Sequence, residues 1–471
     1  MLYIDRTCGT PLYLQLYRQL LDQILSGQIP AGQLLPGSRA LAADLGLGRN
    51  TVDNAYGQLA MEGYIQTEPG RGFRVLALPQ LLSDSSPQPV HTTAPPPASR
   101  VAYDLIYGRM SPRDFPFSQW RKELLDVLDD ESRGEINSYP DHKGDILLRE
   151  QLVKELFQSR GVTCSPEQIV ITSGLQGSLE ILCKLLYPSD GVHAFEEPSY
   201  DRARLLFQQH SIPMVSIALD DAGALPSSLP ADRPVTSVYL TPSHQFPLGI
   251  LMPIQRRYEF LNWALEHNAY LIEDDYDSDY SYHTNPVPAL QSIDTNGRVI
   301  YLGSFSKSLS PSMRMAYMVL PPALAHRYDT QLRDYNCMVP WLMQRTLAQF
   351  MANGHYRRLV RRLRTRFRKT HDLLQREIRQ ISPDIRIISQ GYALKFLLAY
   401  PPHMTRQWLM DRALEQGVRV YSPERFWMDP SQCPSNLIQL GFTAISPEDI
   451  SPCIQRLKAA WFPEDGKSPV K

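Results

Sequence analysis

The chain has 471 residues, 43% of them apolar by type, with 48 Lys plus Arg against 49 Asp plus Glu and a formal net charge of −1. That length exceeds what one hydrophobic core serves and calls for two or three domains, while the charge balance argues neither for nor against a nucleic-acid partner. Met1 leads into Leu2-Tyr3-Ile4-Asp5-Arg6 with no basic start and long apolar region, no stretch approaches 18 uninterrupted apolar residues, and the six cysteines form no Cys-x-x-Cys pair. The expectation is a soluble cytoplasmic protein with reduced thiols, without signal peptide, spanning helix or metal centre.

From Pro11 to Leu25, Leu12, Leu16, Leu20 and Ile24 recur at helical spacing with Leu14, Tyr17 and Leu21 beside them. Gly27 stops that helix and Pro30-Ala31-Gly32 turns the chain. Ser38 is placed to cap a short helix holding Leu41, Ala42 and Leu45; Gly46-Leu47-Gly48 breaks it, and Asn50 to Met61 forms the next with Val52, Tyr56 and Leu59 inward. Two short strands, Ile65-Gln66-Thr67 and Gly72-Phe73-Arg74-Val75, meet around Glu68-Pro69-Gly70-Arg71. This is a helix, a helix-turn-helix and a wing, an arrangement that lays its second turn helix in the major groove. Arg49, Asn50 and Thr51 open that helix, Arg39 opens the one before it, and Arg71 sits on the wing; these are the candidate DNA contacts. Residues 1–75 hold six Arg and no Lys against six acids, so no net positive charge assists, and a protein-docking winged helix is the alternative.

Residues 77–100 carry Pro79, Pro87, Pro89, Pro95, Pro96 and Pro97 among Ser, Thr and Gln, which predicts an extended, partly stiff tether. It separates a domain over 1–76 from one over 101–471.

In the second domain, Ile169-Val170-Ile171-Thr172 reads as a buried strand and Ser173-Gly174-Leu175-Gln176-Gly177 as a small-residue turn opening a helix. Free amides and the helix dipole make Gly174, Leu175 and Gln176 the candidate phosphate cup. Glu197-Pro198-Ser199-Tyr200-Asp201-Arg202 follows the next strand, and Arg202 is placed to meet an anionic effector group. Leu271-Ile272-Glu273-Asp274-Asp275-Tyr276 is a buried strand ending in acids and a tyrosine. Asp274 can keep a pyridine nitrogen protonated, and Tyr276 can donate to a ring 3-oxygen. Tyr301-Leu302-Gly303-Ser304-Phe305-Ser306-Lys307 then sets one lysine among hydroxyls, with Arg314 downstream. Ser304, Ser306 and Arg314 are phosphate-binding chemistry, and Lys307 can form a Schiff base with the aldehyde of pyridoxal 5'-phosphate (PLP). The run from His355 to Lys369 carries seven Arg and one Lys around an apolar stripe, either a solvated helix face or a second DNA-phosphate contact.

These motifs together resemble a known fusion. Residues 1 to 75 are similar to a GntR-type winged helix-turn-helix, residues from about 101 to 471 to a fold-type I aminotransferase, and the whole to the MocR family of PLP-binding transcription regulators. Leu240-Thr241-Pro242-Ser243-His244-Gln245-Phe246-Pro247-Leu248-Gly249 is close to a signature of that family. The resemblance implies an α/β fold, with a large domain on a mainly parallel sheet and a small C-terminal α+β domain. It implies that Tyr200 stacks on the pyridine ring and that Tyr139, in Tyr139-Pro140-Asp141-His142-Lys143-Gly144, reaches the cofactor phosphate of the partner subunit in a domain-swapped homodimer. It assigns Arg39, Arg49, Asn50, Thr51 and Arg71 to DNA contact.

The chain departs from ordinary aminotransferases at one cofactor contact and at two positions on the substrate side. Phe246 stands where they carry the asparagine that bonds the 3-oxygen, leaving that bond missing or moved to His244 or Gln245. Gln439 stands where they carry the arginine that clamps the substrate carboxylate, and Ala393-Leu394-Lys395 where the family often reads Gly-Leu-His. Losing that charge-assisted pair removes on the order of 1.5–3 kcal/mol, so Arg202, Lys395 or Arg419 replaces it, or the effector is not an ordinary α-amino acid. The expected protein is a PLP-dependent regulator that senses an amine or amino acid by aldimine exchange at Lys307, with weak or no transaminase activity. A working aminotransferase with a DNA-binding arm, and a sensor of PLP itself, are the alternatives.

Overall fold

The computed structural model describes residues 2–79, 101–129, 131–187, 190–280, 287–389 and 394–463. The chain divides between residues 97 and 98 into two units, each with a hydrophobic core of its own. Of the expected tether, residues 80–100 lie outside the described residues.

In the first unit, α1 (Leu12–Leu25) buries Leu16, Leu20 and Ile24, one residue per turn on a single face. They pack on Val52, Ala55, Tyr56 and Leu59 of α3 (Arg49–Met61), with Leu41 and Ala42 of α2 (Ser38–Leu45) closing the core. Ser38 does not cap α2: Gly37 is its N-cap, and Ser38 is the first helical residue with no side-chain bond to the turn. Gly46 closes α2 in the left-handed conformation at φ +62°, which lets α3 start three residues later. Strands β1 (Ile65–Glu68) and β2 (Gly72–Val75) pair antiparallel from Ile65↔Val75 to Glu68↔Gly72 and form the wing.

The second unit is built on seven strands: β3 (Ile169–Thr172), β4 (Val192–Glu196), β5 (Met214–Ile217), β6 (Val235–Leu240), β7 (Tyr270–Asp274), β8 (Val299–Ser304) and β9 (Ala316–Val319). Their order across the sheet is β3-β9-β8-β7-β6-β4-β5; only β9 runs antiparallel to its neighbours, so the sheet is mainly parallel as expected. Helices α6 (Gly174–Leu186), α7 (Asp201–Gln209) and α8 (Ile254–Glu266) connect strands, and the central strands are buried on both faces, which explains their near-continuous apolar runs. Before the sheet come α4 (Phe117–Asp129) and α5 (Ile146–Arg160); after it come α9 (Pro322–Gln331) and α10 (Trp341–Ala352).

Helix α11 (His355–Ile381) leads to a small domain: β10 (Arg386–Ile387), β11 (Lys395–Ala399) and β12 (Leu437–Gly441) form an antiparallel sheet with α12 (Arg406–Glu415) and α13 (Pro447–Trp461). The arginines of α11 are not simply a solvated face. Arg357 pairs with Glu155 at 2.6 Å, Arg362 donates to the Asp114 carbonyl, and Arg364 donates to the Asp279 carbonyl at 2.8 Å. Arg366 reaches the Asp114 carboxylate and the carbonyls of Thr443 and Ile445. The helix is therefore a strut joining the large domain, the segment before α4 and the small domain. Among the described residues, no helix is long and apolar enough to cross a membrane.

Candidate functional site

Six of the seven strands point one way, so their C-terminal ends and the start of β9 share one rim, the edge where parallel sheets hold ligands. Gly174 follows β3, Tyr200 follows β4, Phe246 follows β6, Asp274 ends β7, Lys307 follows β8, and Arg314 precedes β9. A cavity of about 290 Å³ opens there, lined by Tyr107, Leu175, Gln176, Tyr200, Arg202 and Phe246, and by Asp274, Tyr276, Ser304, Ser306, Lys307 and Arg314.

Lys307 is held by its backbone, whose carbonyl accepts from the Tyr280 hydroxyl at 2.9 Å, and its Nζ lies 4.3 Å from the Tyr107 ring centre. Burial pulls its pKa down to about 8, against the attraction of Asp277, so a share of neutral amine exists near neutral pH. Gly108 makes room: its φ is +103°, and a Cβ there would stand 3.2 Å from the lysine nitrogen.

The three consecutive acids at the end of β7 and just after it, Glu273, Asp274 and Asp275, divide by strand alternation. Glu273 accepts from the amides of Leu290 (2.8 Å) and Gln291 (2.9 Å), and Asp275 pairs with Arg160 at 2.7 Å and accepts from the Tyr301 hydroxyl at 2.6 Å. Asp274 alone faces the cavity. The Tyr239 hydroxyl donates to it, and no Lys or Arg pairs with it among the described residues. Burial raises its pKa to about 7, with the Tyr239 bond opposing and Asp275 and Asp277 adding to the rise. A buried carboxylate lacking a counter-cation suits a protonated ring nitrogen.

On the opposite wall is an anion cradle. Helix α6 begins at Gly174, and the Arg314 guanidinium lies over this turn, 3.4 Å from the Ser173 carbonyl and 3.5 Å from Gln176 Oε1. A Cβ on Gly174, whose φ is +77°, would sit 2.6 Å from that guanidinium. Arg314 is itself in the left-handed region at φ +50°. Ser304 Oγ donates to Ser306 Oγ at 2.9 Å beside them. Lysine, carboxylate and phosphate cradle line one cavity and fit PLP.

The fourth wall is aromatic. Phe246 meets Tyr107, Tyr200, Tyr276 and Phe426 at ring separations of 5.8, 5.5, 5.7 and 4.7 Å. The Tyr276 hydroxyl donates to the His244 carbonyl at 2.9 Å. His244 Nδ1 binds Asp277 at 2.9 Å, and the Gln245 amide nitrogen donates to the carbonyls of Pro198 and Phe246 at 2.8 and 2.7 Å; neither residue is among those lining the cavity. Arg202 is exposed and lines the cavity; Lys395 and Gln439, both 1% exposed, are not among its lining residues. Lys395 lies behind Tyr276, and Gln439 sits on β12 opposite Leu397, its amide nitrogen without a hydrogen-bond partner among the described residues. Tyr139 is 89% exposed and away from this cavity. Residue reading missed Tyr107, Tyr239 and Tyr280; of these only Tyr107 carried a signal, its tyrosine-glycine step after the short extended run Tyr103-Asp104.

In the first unit, Arg39, Arg49, Asn50 and Arg71 are exposed and Thr51 is half-buried. Arg49 makes an i,i+4 ion pair with Asp53 at 3.3 Å. The two sets of candidate residues are each on one unit.

Residues 109–457 match the model of aminotransferase class I and II, and residues 12–75 that of the gntR family of bacterial regulatory proteins. Among curated relatives, the uncharacterized HTH-type transcriptional regulator YdeL of Bacillus subtilis is 37% identical over 98% of each chain. The probable rhizopine catabolism regulatory protein MocR of Rhizobium meliloti is 32% identical over 98% of this chain and 96% of its own. Among solved structures, the kynurenine aminotransferase of Pyrococcus horikoshii is similar with a TM-score of 0.68 at 25% identity, over 76% of this chain and 90% of that one. The likeness to LysN, an α-aminoadipate aminotransferase of Thermus thermophilus, has a TM-score of 0.65 at 24% identity over 76% and 91% and concerns the fold. The aminotransferase fold implies PLP as the cofactor, and the cavity chemistry suits it. Matched in both units, and along nearly all of its length by HTH-type regulators, the chain belongs to the MocR family, a GntR-type winged helix-turn-helix joined to a PLP-binding aminotransferase domain.

Proposed function

We propose that this regulator binds operator DNA through Arg39, Arg49, Asn50, Thr51 and Arg71 and alters that binding when a small amine or amino acid enters the Lys307 cavity. The observation that carries the reading is the pairing, in one chain, of an exposed arginine-bearing recognition helix with a cavity that holds the cofactor chemistry but lacks an arginine clamp at Gln439. When bound, PLP supplies an aldehyde that reacts with amines and a ring that withdraws electrons. Lys307 would be the residue joined to that aldehyde, the place an effector amine would compete for. Asp274 would keep a proton on the ring nitrogen, Tyr276 would contact the 3-oxygen, Tyr200 would cover the ring, and Arg314 with Ser304, Ser306 and the 174–176 turn would anchor the phosphate. Arg202, at the cavity mouth, receives an acidic group of the effector, with Lys395 and Gln439 behind the wall. The effector shifts DNA binding only by the difference in its affinity for the two states of the protein.

The functional unit in this reading is a domain-swapped homodimer in the cytoplasm. Phe117, Leu125 and Leu128 on α4, Ile146 and Leu147 on α5, and Ile136 with Tyr139 between them expose an apolar surface suited to a second copy, and Tyr139 completes the partner's phosphate site. The domains proposed are 1–76 and 101–471 with a tether between.

The test measures DNA affinity by fluorescence anisotropy, on an operator selected from random oligonucleotides, with and without candidate amines. An amine that shifts both the visible absorption and the DNA affinity, without release of keto acid, supports the reading. Rapid keto-acid release by the unmodified protein with a common amino acid would favour the second reading, a working aminotransferase, for which the presence of Lys307, Asp274 and Arg314 in one cavity speaks. A response to PLP alone would mark a cofactor sensor.

A further inference from the structure

We propose that Lys395 is a positioning residue of the PLP site, a positive charge on the small domain that aims the Tyr276 phenol and repels the proton of Lys307 across the Tyr107 ring. The inference rests on the reading of Lys307 as the PLP lysine.

Lys395 opens β11 opposite Gly441 of β12, where no side chain competes for its space, and 1% of it is exposed. Its Nζ lies 4.2 Å from the centre of the Phe246 ring, 4.9 Å from that of Tyr107 and 5.3 Å from that of Tyr276. Three π faces are a substitute for water around a cation that has no carboxylate within ion-pair distance among the described residues. Its hydrogen bond goes to the Tyr276 oxygen at 3.4 Å. Since the Tyr276 proton is committed to the His244 carbonyl, the oxygen is left to accept, and Lys395 is the donor that makes this orientation favourable.

The Tyr107 ring lies under Lys307 as well, 4.3 Å from its Nζ, so the two amines are no farther apart than those two ring distances combined. Like charges that close, in a low-dielectric wall, oppose each other's protonation. The groups facing Lys395 are few: Lys307 beyond Tyr107, Asp277 bound to His244, and the phenols of Tyr107 and Tyr276; on its own sheet, Gly441 and Gln439 carry no charge. Burial lowers the Lys395 pKa to about 7, Asp277 opposing and Lys307 adding to the fall. Because Lys395 belongs to the small domain while Tyr276, Phe246 and Lys307 follow strands of the large one, any small-domain movement changes the electrostatics at Lys307.

The experiment follows the visible absorption of the PLP-loaded full chain against pH. The parent should titrate in two coupled steps. Lys395→Met should titrate in one step, with its midpoint raised by about one pH unit, since a like charge has been removed. Lys395→Arg keeps the charge and should stay within a few tenths of a unit of the parent. An unmoved midpoint in a Lys395→Met protein of normal melting temperature overturns the proposal, as does an equal shift in both variants, which would mark a packing role. Should Lys395→Met not fold, the parent decides: a one-proton curve overturns the coupling. Absence of visible absorption in the parent would instead sink the Lys307 reading.

Discussion

The rim of the seven-stranded sheet and the small-domain sheet that faces it build two sides of one site by different means. On the rim, each contributing group sits at a strand end or the loop after it: Asp274 ends β7, Lys307 follows β8 and Gly174 opens α6. On the small-domain side, Lys395 opens β11 and Gln439 lies within β12, both buried to 1% exposure, and Lys395 meets the cavity through the aromatic wall. The rim needs charge at the cavity surface, since a bound phosphate and ring nitrogen supply the counter-charge. The opposite side carries a neutral amide at Gln439 and a π-caged ammonium at Lys395, so it offers shape and field instead of an ion pair. On the proposed reading, the contrast predicts that cofactor retention and effector recognition are separable.

The largest break comes at Lys307. Lys307→Ala should abolish the visible absorption and borohydride fixation of PLP, while the far-UV spectrum stays that of the parent because no core volume is removed. A coloured, borohydride-fixable Lys307→Ala protein would place the covalent link elsewhere.

Asp274→Asn should weaken PLP by roughly 10- to 100-fold, the loss of one charge-assisted bond of about 1.5–3 kcal/mol. The same residue gives a pH signature. Its pKa is raised from 3.8 to about 7 in the fold, so the unfolded chain gives up this proton first. The group's favourable contribution is full below about pH 4 and declines as pH rises toward 7. A protonated ring nitrogen cancels that decline, so the rise in melting temperature on adding PLP should grow from pH 4 to pH 7, and Asp274→Asn should flatten it. Differential scanning fluorimetry of both proteins across that range is the check.

Arg49→Ala and Arg71→Ala should each cost about 1–3 kcal/mol of operator binding if they read bases, or mainly lower the salt slope if they touch phosphate, with PLP absorption unchanged. Anisotropy titrations at several salt concentrations separate the two. A parallel loss of PLP absorption would contradict the independence of the two units.

The smallest effect belongs to the effector side. Gln439 buries an amide nitrogen with no partner among the described residues, a defect of about 1–3 kcal/mol in general. Gln439→Leu should therefore melt no lower than the parent and load PLP normally, yet lose the response to the effector. Retention of a full effector response would remove Gln439 from the recognition surface.

Much of this protein is legible in its residues alone. Two unlike domains follow from length and from the proline-rich break; the winged helix follows from its apolar spacing, and the mainly parallel sheet from the resemblance, its buried strands matching the short apolar runs at 169–171, 269–272 and 299–302. Lys307, Asp274 and the 174–176 turn stand out because their chemistry is local: a residue type, its place at a strand end and its neighbours suffice. The tertiary structure decided the rest, since a contact between distant segments leaves no local pattern. It brought Tyr107 under two lysines and Tyr239 onto Asp274. It engaged Arg357, Arg362, Arg364 and Arg366 of α11 with Glu155, Asp114 and Asp279, where charge content alone read as solvent or DNA contact, and left Arg358, Arg361 and Arg368 exposed. It also put Lys395, read from the residues as a replacement for the carboxylate clamp, into an aromatic cage off the cavity lining. Residue identity determines what a group can do; only packing, by setting which groups lose water and which find partners, determines what it does.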